Sequence, residues 1–500
     1  MGVTGPRLQS TIFEKSRPGR GGGKVPHPPK DALDRLPAAA RRAIPPGLPE
    51  LNELEVVRHY TNLSQLNFAI DTGFYPLGSC TMKYNPKVNE WAARLPGFAD
   101  LHPLAPDATA QGTLQVLWEL EEILAEISGM QAVSLQPAAG AQGELTGILM
   151  IRAYHRSRGD ADRLEVLVPD SAHGTNPATA SMAGFKTITI RSAPDGGVDL
   201  AAFRAALGPR TAAVMITNPS TLGLFEARIG DLLEAVHAAG ALAYMDGANL
   251  NAILGRFKPG EAGFDVMHIN THKTFSTPHG GGGPGAGPVG VGPRLVPFLP
   301  APRVLREANG SFRLERPGER PTSIGRLRSF VGNTGVLLRA YAYLRAHGAE
   351  GLREVSDDAV LAANYLKTRL TGTYDIPYER HCKHEFVASA ATIKRTTGIR
   401  TLDIAKRLLD YGFHPPTIYF PLTVEEGMLI EPTETEAIET LDAFADALIR
   451  IAAEAVETPE LVHDAPHTAP VRRLDETTAA RQPNLRWRPM TGAETPCPDI

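Results

Sequence analysis

Cysteine is scarce in this sequence: among 500 residues only Cys80, Cys382 and Cys497 carry a thiol. They are too few and too far apart for a disulfide framework or a C-x-x-C metal pair, which predicts a reducing compartment and no thiolate metal centre. An excess of one charge is lacking too. Lys and Arg number 51 against 55 Asp and Glu, a formal net charge of −4, and the basic residues are scattered. No electrostatic case arises for nucleic acid or for an anionic membrane surface. Nor does any run approach the ~18 apolar residues that spanning a bilayer requires. The N-terminal MGVTGPRLQSTIFEKSRPGRGGG lacks the apolar stretch of a signal peptide, and Pro6 replaces the Ser or Thr of a myristoylation signal. Together these absences predict a cytoplasmic chain whose partners must be argued from its sites.

What is present is an ordinary globular composition, 42% hydrophobic and 21% charged. Residues 1–50 are rich in Pro, Gly and Arg without a sustained period and read as an extended arm, the first part of a segment reaching to residue 100. From residue 101 to 330 the rhythm is that of an α/β domain. GTLQVLWELEEILAEISGM has helical spacing and ends at Gly129; then LEVLVP, KTITI, TAAVMITNP, ALAYMDGA and DVMHIN are strand-length apolar runs separated by helix-like stretches. Strand, helix and strand in repetition predicts a mostly parallel sheet covered on both faces. Residues 331–455 read as a smaller α+β domain: a long helix through GNTGVLLRAYAYLRAHGAEGLREV, a strand at HEFVASAATI, and helices at TLDIAKRLLDYG and TEAIETLDAFADALIRIAAEAV. Residues 456–500 read as a polar tail.

Ligands of such sheets bind at the carboxyl ends of the strands. Three polar groups fall there: His173 after VLVP, Asp246 at the end of ALAYMD, and Lys273 just past DVMHIN. A lysine amine, a carboxylate and a flat ring are what an aldehyde cofactor with a pyridinium ring needs, and its phosphate needs free amides at a helix N-terminus. The turn PAAGAQG, with Gly140 and Ala141, opens such a helix. Each residue alone has a plainer reading, as a solvated lysine or a helix-capping acid. The glycines after Lys273 match G-x-G-x-x-G at Gly280, Gly282 and Gly285, but PVGVGPRLVPFLP cannot open the helix that a dinucleotide site requires. The tract is expected instead to bring flexible backbone toward the cofactor or to line its entrance. His381 and His384 in RHCKHEF have metal-like spacing, yet no Cys or acid is evident to complete a ligand set, so no metal is assigned.

The stretches YPLGSCTMKYNP, QPAAGAQGE, HGTNPATA, MDGANLNAI, NTHKTFSTPHGGGGPG, HEFV, GFHPPTIYFPL and EPTETE together resemble the glycine dehydrogenase (decarboxylating) family, the P-protein of the glycine cleavage system. The resemblance is to the C-terminal half, called subunit 2 where the two halves are separate chains. It implies a fold type I enzyme dependent on pyridoxal 5'-phosphate, with Lys273 as the covalent attachment, Asp246 facing the pyridine nitrogen, His173 stacked on the ring and Ala248 on the ring's other face. Gly140 and Ala141 would hold the phosphate, and His272 either contacts it or is structural. It further implies glycine as substrate, the lipoylated H-protein as acceptor, and a subunit 1 partner in an α2β2 heterotetramer. Cys80 either lies near the site or is a packed small residue. Two alternatives stay open: a fold type I decarboxylase or aminotransferase acting alone, and a non-catalytic scaffold subunit.

Overall fold

The computed structural model describes residues 10–21, 26, 28–44, 46–280 and 285–485. The centre of the glycine tract, residues 281–284, lies outside the described residues, and so does Cys497; the expectations for that tract fall there. The chain forms two compact units, residues 74–463 and a second built from residues 1–73 with 464–500. This division differs from the expected boundaries at 100 and 456. Residues 74–100 belong to the larger unit because Phe74 is buried with Leu366, Phe386 and Phe444 in one apolar cluster. The larger unit runs on to His463 because the short helix Pro459–His463 buries Val462 in the same cluster.

Among the described residues of the smaller unit, the expected arm has only short turns of helix, Ile12–Lys15 and Ala38–Ala40, before the helix Glu53–Ser64. That helix starts where Asn52 accepts from the Glu55 N–H and Glu55 accepts in return from the Asn52 N–H, a reciprocal cap.

The larger unit is organised by a seven-stranded sheet. Its strands are β1 (Ala132–Ser134), β2 (Glu165–Pro169), β3 (Lys186–Ile190), β4 (Thr211–Thr217), β5 (Leu242–Gly247), β6 (Val266–Ile269) and β7 (Val289–Val291), in the order β1-β7-β6-β5-β4-β2-β3. Only β7 runs against the others. It was not foreseen, since Pro and Gly dominate its surroundings. Burial on both faces explains why the central strands are apolar throughout: all seven residues of β4 are buried. Val214 and Ile216 of β4 pack with the helices Gln111–Ser128, Ile229–Ala238 and Thr334–Leu370, while Ala213 and Met215 face Gly140–Ser157 and Thr175–Met182. Each large aliphatic side chain so covered contributes roughly 1.5–3 kcal/mol. Gln111–Ser128 stops where expected, at Gly129, whose φ of 68° is a left-handed conformation that favours glycine.

A two-stranded ribbon follows, β8 (Val304–Arg306) with β9 (Phe312–Leu314). After the helix Thr334–Leu370, broken at Gly348, comes a second sheet of β10 (Phe386–Ser389), β11 (Thr417–Ile418) and β12 (Gly427–Ile430), antiparallel in the order β10-β12-β11. HEFVASAATI was expected to be strand throughout, but it turns helical at Ala391. Ser389 Oγ accepts from the Ala391 N–H and Asp375 from the Thr392 N–H, so side chains satisfy the first amides of Ala391–Thr397 and end the strand. Among the described residues no helix is long and apolar enough to cross a membrane.

Candidate active site

β5 and β6 are neighbours, with Asp246 opposite His268, so the carboxyl end of β5 sits beside the segment that leaves β6. Asp246 is buried and accepts from Asn176 Nδ2 at 3.0 Å and from the Ala248 N–H at 2.9 Å, while His268 Nε2 stands 3.3 Å away. Burial alone would raise its pKa. His268, the two hydrogen bonds and the Lys273 ammonium outweigh that and hold Asp246 below the ordinary carboxylate range, so it stays ionised. His268 is pushed down by its own burial and is a neutral imidazole: Nδ1 accepts from the Tyr244 hydroxyl at 2.6 Å, leaving Nε2–H for Asp246.

Behind Asp246 lies Glu144, on the helix Gly140–Ser157. It accepts from Thr175, Asn176 and Thr179, and burial together with the Asp246 charge pushes its pKa up to about 8. Asn176 Nδ2 therefore donates to both acids and shares one negative charge between them in favour of Asp246.

Lys273 lies on a single helical turn, Thr271–Thr274, directly after β6. The turn is pinned by the Thr271 N–H to Ala286 O and, at its far end, by Lys83 Nζ to Thr274 O at 2.9 Å. Lys273 is half-buried, not the exposed strand-end lysine its position suggested, and its amine makes no hydrogen bond or ion pair among the described residues. Its charge nonetheless acts on Asp246 and His173 from the large sheet and on Glu385 and Glu431 from the small one.

The other expected residues surround this amine unevenly. Gly140 is the first residue of its helix, where no carbonyl inside the helix can reach its N–H or that of Ala141. A Cβ on Gly140 would fall 2.1 Å from Asn270 Oδ1, so only glycine lets the helix start this close to the segment carrying Lys273. Gly140 is buried and Ala141 exposed. His173 is exposed, hydrogen-bonded through Nδ1 to the Thr175 hydroxyl at 2.9 Å, and its ring stands 6.2 Å from that of Phe420. Ala248 contributes its N–H to Asp246. His272 is buried against Gly285, and burial pushes its pKa down to about 3, which makes it a neutral group and not a cation for a phosphate.

These residues fit pyridoxal phosphate on structural grounds. Asn270 Oδ1, His272 Nδ1 and Thr217 Oγ1 are buried around the site without hydrogen-bond partners, the first helix amides at Gly140 have no carbonyl inside the helix, and the charge of the unpaired Lys273 acts on an ionised, buried carboxylate. A polar group is owed to this cleft.

Sequence reasoning missed the supports of Asp246, although Glu144 and Asn176 stand inside QPAAGAQGE and HGTNPATA. It also missed a second cluster. The acids that complete a set with His384 are Glu385, its neighbour, and Glu431, which follows the antiparallel partner strand β12 at the same end of the small sheet; His381 is exposed and takes no part. That corrects the reading that no acid was at hand.

The fold and the site define the fold type I class of pyridoxal-phosphate-dependent enzymes, and the comparisons specify which. A family model described as glycine dehydrogenase, C-terminal domain, matches residues 355–469. The chain is 57% identical to the probable glycine dehydrogenase (decarboxylating) subunit 2 of Halalkalibacterium halodurans over 97% of its length and 99% of that protein's. It is 58% identical to the protein of the same name from Methylococcus capsulatus, over 96% of this chain and 98% of that one. A crystal structure of glycine decarboxylase (P-protein) of the glycine cleavage system in inhibitor-bound form superposes with a TM-score of 0.70 at 25% identity, covering 84% of this chain and 94% of that one. A Lactobacillus brevis glutamate decarboxylase, 13% identical with a TM-score of 0.62 over 85% of this chain and 97% of its own, shares the fold. The chain belongs to the glycine dehydrogenase (decarboxylating) subunit 2 family.

Proposed function

We propose that this chain is the catalytic, cofactor-binding subunit of a two-subunit glycine dehydrogenase that decarboxylates glycine. The observation that carries the reading is the unpaired Lys273 amine beside the ionised, buried Asp246 at the ends of adjacent strands. Pyridoxal phosphate, when bound, supplies the ring that accepts the electron pair left as the carboxylate of glycine departs as carbon dioxide. Lys273 Nζ is the covalent attachment. Asp246 keeps a proton on the pyridine nitrogen, because a fixed charge in a dry site costs no reorganisation during reaction. His268, itself held by the Tyr244 hydroxyl, and the Ala248 N–H hold one carboxylate oxygen of Asp246 while Asn176 holds the other, and Glu144, by retaining its own proton, leaves the charge with Asp246. The amides at Gly140 and Ala141 bind the phosphate, with His272 as a neutral neighbour. His173 would cover one face of the ring and Ala248 the other.

The aminomethyl group passes to the lipoyl arm of H-protein, and a subunit 1 completes an α2β2 heterotetramer in the cytoplasm. The name subunit 2 on full-length relatives supports a partner chain. The exposed Leu33, Ile44 and Leu48 in the Pro-rich arm suit a partner surface that would offset the cost of ordering it. Residues 101–330 and 331–455 act as large and small lobes around the cofactor.

Borohydride reduction followed by peptide mapping tests the attachment: the pyridoxyl mass should fall on Lys273, and its appearance on Lys258 or Lys83 would overturn the assignment. Expressed alone with pyridoxal phosphate and H-protein, the chain should not exchange the glycine carboxyl with bicarbonate, and adding subunit 1 should restore the exchange. Full exchange by the chain alone removes the partner requirement.

A further inference from the structure

The small sheet carries a group of acceptors that the reading above does not use. Glu385, just before β10, and Glu431, just after β12, are both fully buried, and so is His384. Glu385 accepts from the Ser79 N–H at 2.6 Å and Glu431 from the Thr81 N–H at 2.9 Å, so each acid uses a bond to hold one side of Cys80. Ser79 and Thr81 are non-glycine residues with φ of 61° and 48°, a turn that does not hold itself.

Glu431 Oε1 also accepts from the Thr81 hydroxyl at 2.5 Å, and the Ser79 hydroxyl lies 3.4 Å from both Glu385 oxygens, so the unspent group is the imidazole. Both ring nitrogens of His384 lack a hydrogen-bond partner, and Nε2 lies 3.7 Å from Glu385 Oε1 and 3.8 Å from Glu431 Oε1, too far for a hydrogen bond to either. Burial pushes His384 down to about 3, so it is a neutral acceptor or donor and not the cation the acids need. Burial and mutual repulsion raise Glu385 well above the carboxylate range, and burial pushes Glu431 up to about 7. Two acids and an unpaired imidazole around one space await a donor-rich cation.

The ammonium whose charge acts on all three is that of Lys273. Lys83, the other buried lysine nearby, is committed to Glu434 at 2.6 Å. Cys80, a thiol pushed up to about 11, also faces the acids and offers no positive charge. We infer that His384, Glu385 and Glu431 form the resting place of the Lys273 amine after substrate has displaced it from the cofactor, an inference that rests on the function proposed above. The displacement balances: one C–N double bond to Lys273 breaks, one to the substrate nitrogen forms, and two protons pass from the substrate nitrogen to Lys273 Nζ with no change of oxidation state. The product ammonium has three N–H donors, and the cradle offers the unpartnered His384 Nε2 and the second lone pairs of Glu385 Oε1 and Glu431 Oε1. Holding the amine there keeps it off the reacting carbon yet within reach for its return. The three are positioning residues for Lys273.

The apoprotein tests this without the cofactor, so failure here is separable from failure of the borohydride mapping. Trace acetic anhydride at neutral pH, read by peptide mass mapping, reports the free amine at each lysine. Glu385→Gln and Glu431→Gln keep an oxygen for the Ser79 and Thr81 amides but cannot ionise opposite the ammonium, so acetylation of Lys273 should rise several-fold, up to about tenfold, relative to surface lysines. Lys83 should remain protected, reporting an intact fold. A Lys273 rate unchanged in both folded variants overturns the inference; a purely structural role would lower the melting temperature and leave that rate alone. Should either variant expose Lys83, Lys273→Met decides. Without the ammonium the acids ionise less readily, so the melting temperature should fall more steeply between pH 6 and pH 8 than in the parent, and a parallel profile overturns the inference.

Discussion

The two sheets of the larger unit contribute to the same cleft in different ways. The seven-stranded sheet delivers Asp246 and Lys273 from the ends of adjacent parallel strands, each within a few residues of an apolar run that forces its position. The three-stranded sheet delivers His384, Glu385 and Glu431 at one end of an antiparallel pairing, β10 with β12, where Phe386 lies opposite Ile430, although the two acids stand 46 positions apart in the chain. On the first side the charged groups are satisfied: Asp246 has three partners and is ionised. On the second side the acids hold protons and the imidazole has no partner. The lesson is that one wall is preorganised for a fixed charge, whereas the other is left short of a cation that arrives only when the lysine moves.

The sharpest way to break that comparison is at the group both walls share. Lys273→Ala should abolish turnover, a loss on the order of 10⁴-fold or more, as expected when a covalent catalyst is removed. The fold should survive, because the amine has no partner to forfeit; circular dichroism and a steady-state assay check both halves. Asp246→Asn comes next. It keeps the shape but removes the preorganised charge, and turnover should fall about 10²–10³-fold with the cofactor still attached. Parent-rate decarboxylation by this variant would dissolve the distinction between the walls.

Gly140→Ala should act on binding rather than on chemistry. A Cβ placed 2.1 Å from Asn270 Oδ1 forces the helix start away from the Lys273 segment, at a cost of about 1–3 kcal/mol. Cofactor titration should show weakened affinity with little change in kcat at saturation.

The smallest effect is on stability against pH. Glu431 and Glu144 have folded pKa values of about 7 and about 8, above the ordinary carboxylate value that applies once the chain unfolds. Their contribution is full below that ordinary value and is lost as pH rises through the folded one, so apoprotein stability should decline from about pH 5 toward pH 8. Scanning calorimetry of Glu431→Gln should lose the part of the parent's decline that ends near pH 7, and of Glu144→Gln the part that ends near pH 8. A decline as steep as the parent's in both would refute the raised values. The buried imidazoles His272 and His384, each lowered to about 3, titrate in the opposite sense and cancel in the difference between parent and variant.

The sequence by itself determined the parallel part of the sheet, the helix stop at Gly129, the helix opening at Gly140 and the placing of Asp246 and Lys273 at strand ends. Apolar runs and glycines act over a few residues, so a local reading captures what they force. It did not reveal β7, whose Gly and Pro context hides a strand that exists only because β1 and β6 flank it. Nor did it show that Lys273 would be half-buried, that Glu144 would hold a proton, or that Ser79, Thr81, Glu385 and Glu431 would meet. Those features depend on burial and on partners brought together from hundreds of residues away, as when Ser79 meets Glu385 and Thr81 meets Glu431. Only the tertiary structure decides which charges lose their water, and a carboxylate's chemistry follows from that loss.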